Sequence, residues 1–374
     1  SPKDRISAVS DMRLLCGSKL FQQFGKRWLY SSSALGMDNF NNSRIRIKNQ
    51  HGGLIPTYKE KIRKHNEEGG STYMVFTEDL KNIIYLASED ELPLIKKMAE
   101  KFNAQDKGLR FGQYVFGPEI MRAYHLFNKP IEALDAFTSP SLSGMFEQLT
   151  SYQILMDLLY NNEMYSDVEA MFHKLQALQL YGGKYPKDIT LLLFAALYKQ
   201  NTDEAYERLL VHLEEAKTSG AQLLRRTVCF AAALALRRNH PDMCIKLLEA
   251  IKNHSYITVK NLKILALCEL NKIESVLLMM FETMTEEDQP YARGCHICHE
   301  IVERLTSAAE ASGNQEVKIK ADRIVQNLRH GNLLTTETLD DILSKTVEGK
   351  LGHKNTFTGH GNKNQKHRSL RNES

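Results

Sequence analysis

A two-residue pattern recurs along this chain at a nearly fixed interval, and it limits the possible folds more than any other feature. A small or medium residue is followed four positions later by a bulky apolar one. The instances are Met98 with Phe102, Ala133 with Phe137, Val168 with Phe172, Ala205 with Leu209, Cys244 with Leu248, and Ser275 with Met279. They are separated by 35, 35, 37, 39 and 31 residues. Each follows an apolar run of helical character, such as TEDLKNIIYLA, SYQILMDLLY, ITLLLFAALYK or RRTVCFAAALAL. A period in this range marks a repeated supersecondary unit whose copies stack on one another.

Residues 151–175 show what the unit is. Tyr152, Leu155, Met156 and Leu159 fall on one helical face. Asn161 and Asn162 interrupt that helix, Asp167 is placed to open a second, and Val168, Met171, Phe172 and Leu175 form its apolar stripe. Helices shorter than roughly 12–15 residues are marginal alone in water, so each pair needs neighbours of its own kind. The small residue lets paired helices approach, and the bulky one fills the gap between pairs. The expected fold class is all-α, with about six helix-turn-helix repeats over residues 71–285 stacked in a right-handed α-solenoid. Residues 286–348 are expected to form a helical cap. Within it TTETLDDILSK reads as a terminal helix, with Leu339, Ile342 and Leu343 apolar and Asp340 and Asp341 polar.

The period and several local motifs resemble the pentatricopeptide repeat family. EALDAF at 132–137 matches its Glu-Ala-Leu-x-x-Phe second helix, and Ser151-Tyr152 stands where that unit opens with Thr-Tyr. Pro186-Lys187-Asp188-Ile189-Thr190 is similar to its Lys-Pro-Asp-Val-Thr junction, with Pro and Asp slightly displaced. FGQYVFGP at 111–118, SYQILMDLLY and RRTVCFAAALAL extend the likeness, which covers roughly residues 70–345 and is close in 110–250. No unit carries the Trp-x-x-Leu-Gly-x-x-Tyr opening of a tetratricopeptide repeat. The resemblance implies a mitochondrial protein that takes part in RNA maturation and so in respiratory-chain function.

Charge is unevenly placed. Residues 1–65 carry thirteen Lys or Arg against four Asp or Glu, residues 350–374 carry six against one, and the middle is net acidic by ten. From Met12 to Gly36 there is no acidic residue, while Leu and Phe recur at helical spacing and three Ser follow Tyr30. Residues 1–36 therefore read as a mitochondrial transit peptide, with its start expected at Met12 and processing after Arg27, so that the mature chain begins near 30–37. Residues 37–70 read as a basic flexible linker, in which TYKEKIRKHNEE at 57–68 could form a short basic helix and RIRIK at 44–48 could contact phosphate. Residues 349–374 read as a disordered basic tail. The longest apolar runs are about ten residues, half of a membrane span, so no membrane insertion is expected.

Catalytic constellations are missing from the sequence. It has no Gly-x-Ser-x-Gly, no phosphate-cradling Gly loop ending in Lys-Ser/Thr, and no His-Glu-x-x-His. Cys295-His296-Ile297-Cys298-His299 has the spacing of covalent haem attachment and of half a zinc site. Haem would need an axial partner, and zinc would need ligands that no second Cys pair supplies. A helix GCHICHEIVERLTSA with Ile297, Ile301, Val302 and Leu305 facing inward accounts for the same residues. No cofactor is assigned. Cys229, Cys244 and Cys268 read as small buried hydrophobes.

The function expected is the binding of single-stranded mitochondrial RNA along the first helices, with RNA-processing proteins as further partners. The candidate contacts are Lys199, Arg225, Arg226, Arg237, Arg238, Lys260 and Lys263, at the ends or faces of first helices. Arg225-Arg226 and Arg237-Arg238 bracket the apolar helix TVCFAAALAL and stand roughly 18 Å apart along it. The resemblance adds Gln153 and Lys187, which fall near the family's base-reading positions. Leu192, at such a position in the next unit, cannot hydrogen-bond a base edge. That favours recognition through phosphates or RNA shape over base-by-base reading. The net acidic body keeps a second expectation open, a protein-binding scaffold without direct RNA contact.

Overall fold

The computed structural model describes residues 28–68, 74–105, 114–180, 183–254, 256–286 and 297–348. The proposed transit segment before Trp28, Cys295, His296 and the basic tail lie outside these residues. The described chain is all-α. Its helices are α1 (Met37–His51), α2 (Ile55–Glu68), α3 (Thr77–Leu86), α4 (Leu92–Ala104), α5 (Gly117–Leu126), α6 (Pro130–Thr138), α7 (Leu149–Asn161) and α8 (Tyr165–Leu178). They continue as α9 (Lys187–Gln200), α10 (Asp203–Thr218), α11 (Arg225–Arg237), α12 (Pro241–Glu249), α13 (Ile257–Glu269) and α14 (Ile273–Glu286). The last are α15 (His299–Ala311), α16 (Gln315–His330) and the short α17 (Leu339–Leu343). Among the described residues the only sheet is a two-stranded parallel one, β1 (Ile297–Cys298) against β2 (Leu334–Thr335).

The pairs α3/α4 to α13/α14 are the six repeats that the period predicts. Each first helix packs on the first helix of the next pair, so α3, α5, α7, α9, α11 and α13 form a continuous row, which α1 extends at one end and α15 at the other. The turns inside the last five pairs share one conformation. Asn128, Glu163, Asn201, Asn239 and Asn271 all have φ between 49° and 62°. Asn tolerates this left-handed geometry better than most residues, which explains four of the five. Pro130 and Pro241 then sit in the first turn of α6 and α12, where a missing N–H costs nothing.

The pattern residues are buried through Leu248: Met98, Ala133, Val168, Phe172, Ala205, Leu209 and Cys244 are almost completely enclosed. In the sixth unit the expected register is off by one. Ser275 is exposed and Met279 only half-buried at the edge of the core, and Val276 and Met280 take the core positions. Asp167 lies in the first turn of α8 rather than at its cap, the helix beginning at Tyr165.

Within the expected linker, residues 37–51 are helical against expectation, and the helix expected at 57–68 is present and begins at Ile55. Met37, Phe40, Arg44 and Ile47 recur at helical spacing and bury one face of α1 against α3 and α5. Arg44 is no phosphate contact. Its guanidinium is buried, donates to the Ala87 carbonyl at 2.8 Å and lies over the Phe40 and Phe127 rings. The helix expected through Cys298 begins only at His299, because Ile297 and Cys298 pair with Leu334 and Thr335.

Residues 28–36, assigned above to the transit peptide, are part of the folded body. Leu29, Tyr30 and Leu35 are fully buried. The Tyr30 N–H donates to Asp157 Oδ1 of α7 at 3.2 Å, and Trp28 packs on His125. Processing after Arg27 would leave this packing whole, whereas a mature start at 31 or later would strip Leu29 and Tyr30 from the core.

Candidate nucleic-acid interface

Both ends of the described chain lie against the row of first helices, and they meet there. Ser31 N–H donates to the Val347 carbonyl at 3.0 Å, and Val347 N–H donates to the Leu29 carbonyl at 2.8 Å. Thr346 Oγ1 donates to the Trp28 carbonyl at 3.0 Å. From there the C-terminal segment runs back over the row. Arg226, at the start of α11, donates to the Lys345 carbonyl. The helix α17 packs on α11 and α13, with Leu343 in the core. Leu339 N–H donates to Glu300 on α15 at 2.7 Å.

This placement decides the surroundings of the candidate cations. Lys199 at the end of α9 and Arg237 at the end of α11 converge on one carboxylate, Asp340, at 2.7 and 3.4 Å. Burial would push the Asp340 carboxyl up, but Lys199 and then Arg237 outweigh it and hold it below the usual carboxylate range. The Arg237 guanidinium also lies 4.0 Å from the centre of the buried Tyr198 ring. Burial, and then the adjacent Arg225 charge, lower the pKa of Arg226. Arg225 stacks on the Tyr256 ring at 3.0 Å, leaving both side chains partly open to solvent. Arg238 turns to the other side and pairs with Asp203 of the neighbouring repeat at 2.5 Å.

The remaining candidates are dispersed. Lys260 is buried on α13, and Lys263 is half-buried in a cleft of about 290 Å³ lined by His254, Met279, Glu282 and Thr283. Lys187 is exposed at the start of α9, and Gln153 is half-buried on α7. The structure thus brings Lys199 and Arg237 together on Asp340, sets Arg226 under the same C-terminal segment at the opposite end of α11, and separates the others from them. Asp340 and Tyr198 complete the Lys199–Arg237 cluster, Tyr256 belongs with Arg225, and no local motif marks any of the three. Cys229, Cys244, Cys268 and Cys298 are buried free thiols, and burial pushes them up to about 12, 12, 11 and 12, so they are inert at neutral pH.

No family model matches the chain. Individual proteins do. A protein of Mus musculus is 26% identical over 326 residues, 87% of this chain and 84% of that protein. Similar stretches in Homo sapiens and Danio rerio proteins are each 24% identical, over 329 and 331 residues. All three are named pentatricopeptide repeat-containing protein 2, mitochondrial. The resemblance to pentatricopeptide repeat proteins stands. It covers 83% of the human and zebrafish proteins, so it extends well past any single repeat. It also agrees with the helix pairs, their period near 35 residues and their shared turns. No described helix is long and apolar enough to cross a membrane.

Proposed function

We propose that this chain is a non-enzymatic mitochondrial protein that binds single-stranded RNA on its row of first helices and acts in RNA maturation, and thereby in respiratory-chain function. The observation that carries the reading is the convergence of Lys199 and Arg237, from successive first helices, on one oxyanion. Here that oxyanion is the Asp340 carboxylate, which stands where a phosphate would be held. Arg225 on Tyr256 adds a flat cation beside a ring, a surface suited to stacking a base. The names of the similar proteins support the mitochondrial setting.

The test is filter retention of labelled mitochondrial RNA at 50 and 200 mM salt. Replacing Arg225, Arg226, Arg237 and Arg238 together by Gln should weaken binding and flatten its salt slope by about 0.7 for every phosphate no longer neutralised. Unchanged binding at both salts would remove the site.

A second reading, a docking surface for polypeptide, is favoured by a different observation. The row already binds polypeptide, the chain's own segments 28–35 and 339–347, through backbone hydrogen bonds and buried apolar residues. On that reading the full chain shows no salt-dependent retention of RNA at all.

A further inference from the structure

Glu169 and His173 lie one turn apart on α8, and His212 reaches the same point from α10, the second helix of the next repeat. One ligating atom from each falls within 4.8 Å of the others. We propose that these three side chains form a zinc site that bridges the two repeats. It is independent of the row of first helices and of the RNA reading.

Three features of the surroundings point to a cation. The first is the tautomer of His212. The Tyr185 hydroxyl donates to Glu215 Oε2 at 2.9 Å and lies 3.1 Å from His212 Nδ1. A hydroxyl has one proton, so His212 must be the donor to Tyr185, and its proton is on Nδ1. Its Nε2 is then the lone-pair nitrogen, and the hydrogen-bonded Tyr185 and Glu215 hold the ring in place. Metal-binding histidines are commonly oriented by such an outer partner on the second nitrogen.

The second feature is a carboxylate oxygen left without a proper partner. Glu169 Oε1 is buried and accepts no hydrogen bond. Arg208 Nε lies 2.8 Å from it, yet that nitrogen is also unsatisfied, so the N–H does not point along the contact. Arg208 is held instead through Nη2 by Gln200 Oε1 at 2.8 Å. A dication would give this oxygen the partner that Arg208 does not.

The third feature is the donor set. Two imidazoles and one carboxylate suit zinc, with its fourth position left to water. His173 is more than half exposed, so the ion has a path from solvent and the fourth position is open. Zinc binds such N and O atoms at about 2.0–2.2 Å, so the three must draw closer than their present spacing on binding the ion.

The experiment is a calorimetric titration of the full chain with zinc chloride in a non-chelating buffer, repeated on His173→Gln and Glu169→Gln. His173 is exposed, so His173→Gln should leave thermal unfolding without metal unchanged; Glu169 is largely buried beside Arg208, so Glu169→Gln is read against its own metal-free unfolding. The expected result is the loss of one zinc equivalent in each variant, or weakening of that equivalent by about 10-fold or more. Arg208→Gln, which removes the competing charge, is expected to bind zinc more tightly. Zinc held at Cys298 and His299, or by His353, His360 and His367, would persist in both ligand variants. The proposal is overturned if the parent takes up no zinc, or if its uptake survives unchanged in His173→Gln and Glu169→Gln.

Discussion

Asp157 ties the N-terminal segment to the stack from one buried carboxylate. It accepts from the Tyr30 N–H and from Asn161 Nδ2 at 2.9 Å, and His125 Nε2 lies 3.1 Å away. Burial pushes the carboxyl up, and His125 opposes that shift. Removing the carboxylate leaves the buried Tyr30 N–H and the His125 imidazole without that partner, while Asn161 Nδ2 keeps the Asp157 carbonyl at 2.6 Å. Asp157→Ala is therefore expected to cost about 3 kcal/mol in urea unfolding. A loss below about 1 kcal/mol would mean the Tyr30 segment is held by its apolar side chains alone. The sequence does not suggest this tie, because residues 125, 157 and 30 share no local pattern. What local spacing does show is the apolar face of α7 around Asp157, since Tyr152, Leu155, Met156 and Leu159 carry the helical period.

The helices themselves are largely legible in the sequence, for reasons that differ from one to the next. The pairs α3/α4 to α13/α14 follow from apolar periodicity, which is a local property. Their turns carry a further signal, an Asn before the second helix in FNKP, QNTD, RNHP and LNKI. At Asn239 the left-handed backbone predicts that Asn239→Ala lowers stability by about 1 kcal/mol, while Asn239→Gly changes it little, both readable by thermal unfolding. The helix α1 is hidden in the sequence because its buried face is thin and its other residues polar, whereas α2 is legible as the basic helix expected at 57–68, but not what it packs on. The structure shows what secures α2. Lys59 and Arg63 reach Glu91, beside α4, at 2.5 and 2.6 Å. Burial raises the Glu91 pKa, but Lys59, with the bonds from Ser88, outweighs it and sets the folded value below the ordinary 4.5. A carboxylate depressed on folding adds stability above about pH 4.5, and that stability is lost as pH falls through the folded value. Hydrogen exchange in residues 55–68 should accelerate below pH 4.5. Glu91→Gln should produce the same loosening at pH 7, by about 2 kcal/mol. Equal protection in parent and variant at pH 7 would show that the ion pairs do not hold α2.

At the scale of the whole molecule, the two chain ends decide how much of the row of first helices is open. Sequence places the cations at helix ends, but not their partners, because Asp340 is 141 residues from Lys199 and 103 from Arg237. The carboxylate neutralises both cations where they would otherwise meet a phosphate. Asp340→Asn keeps the shape of α17 and removes that charge. The rest of α17 stays anchored by Leu343 in the core and by the Leu339 N–H on Glu300, so the stability cost should be about 1 kcal/mol. If RNA reaches this part of the row, the variant should bind it more tightly than the parent at 50 mM salt. Its salt slope should steepen by about 1.4, the increment for two more phosphates neutralised on a single strand. If affinity and slope both stay at the parent's values, Asp340 serves only to anchor α17, and any RNA must be held by cations outside this cluster, such as Lys187 or Arg225. A fall in affinity would mean that the seated C-terminal segment itself forms part of the binding surface, with Lys199 and Arg237 acting as its supports.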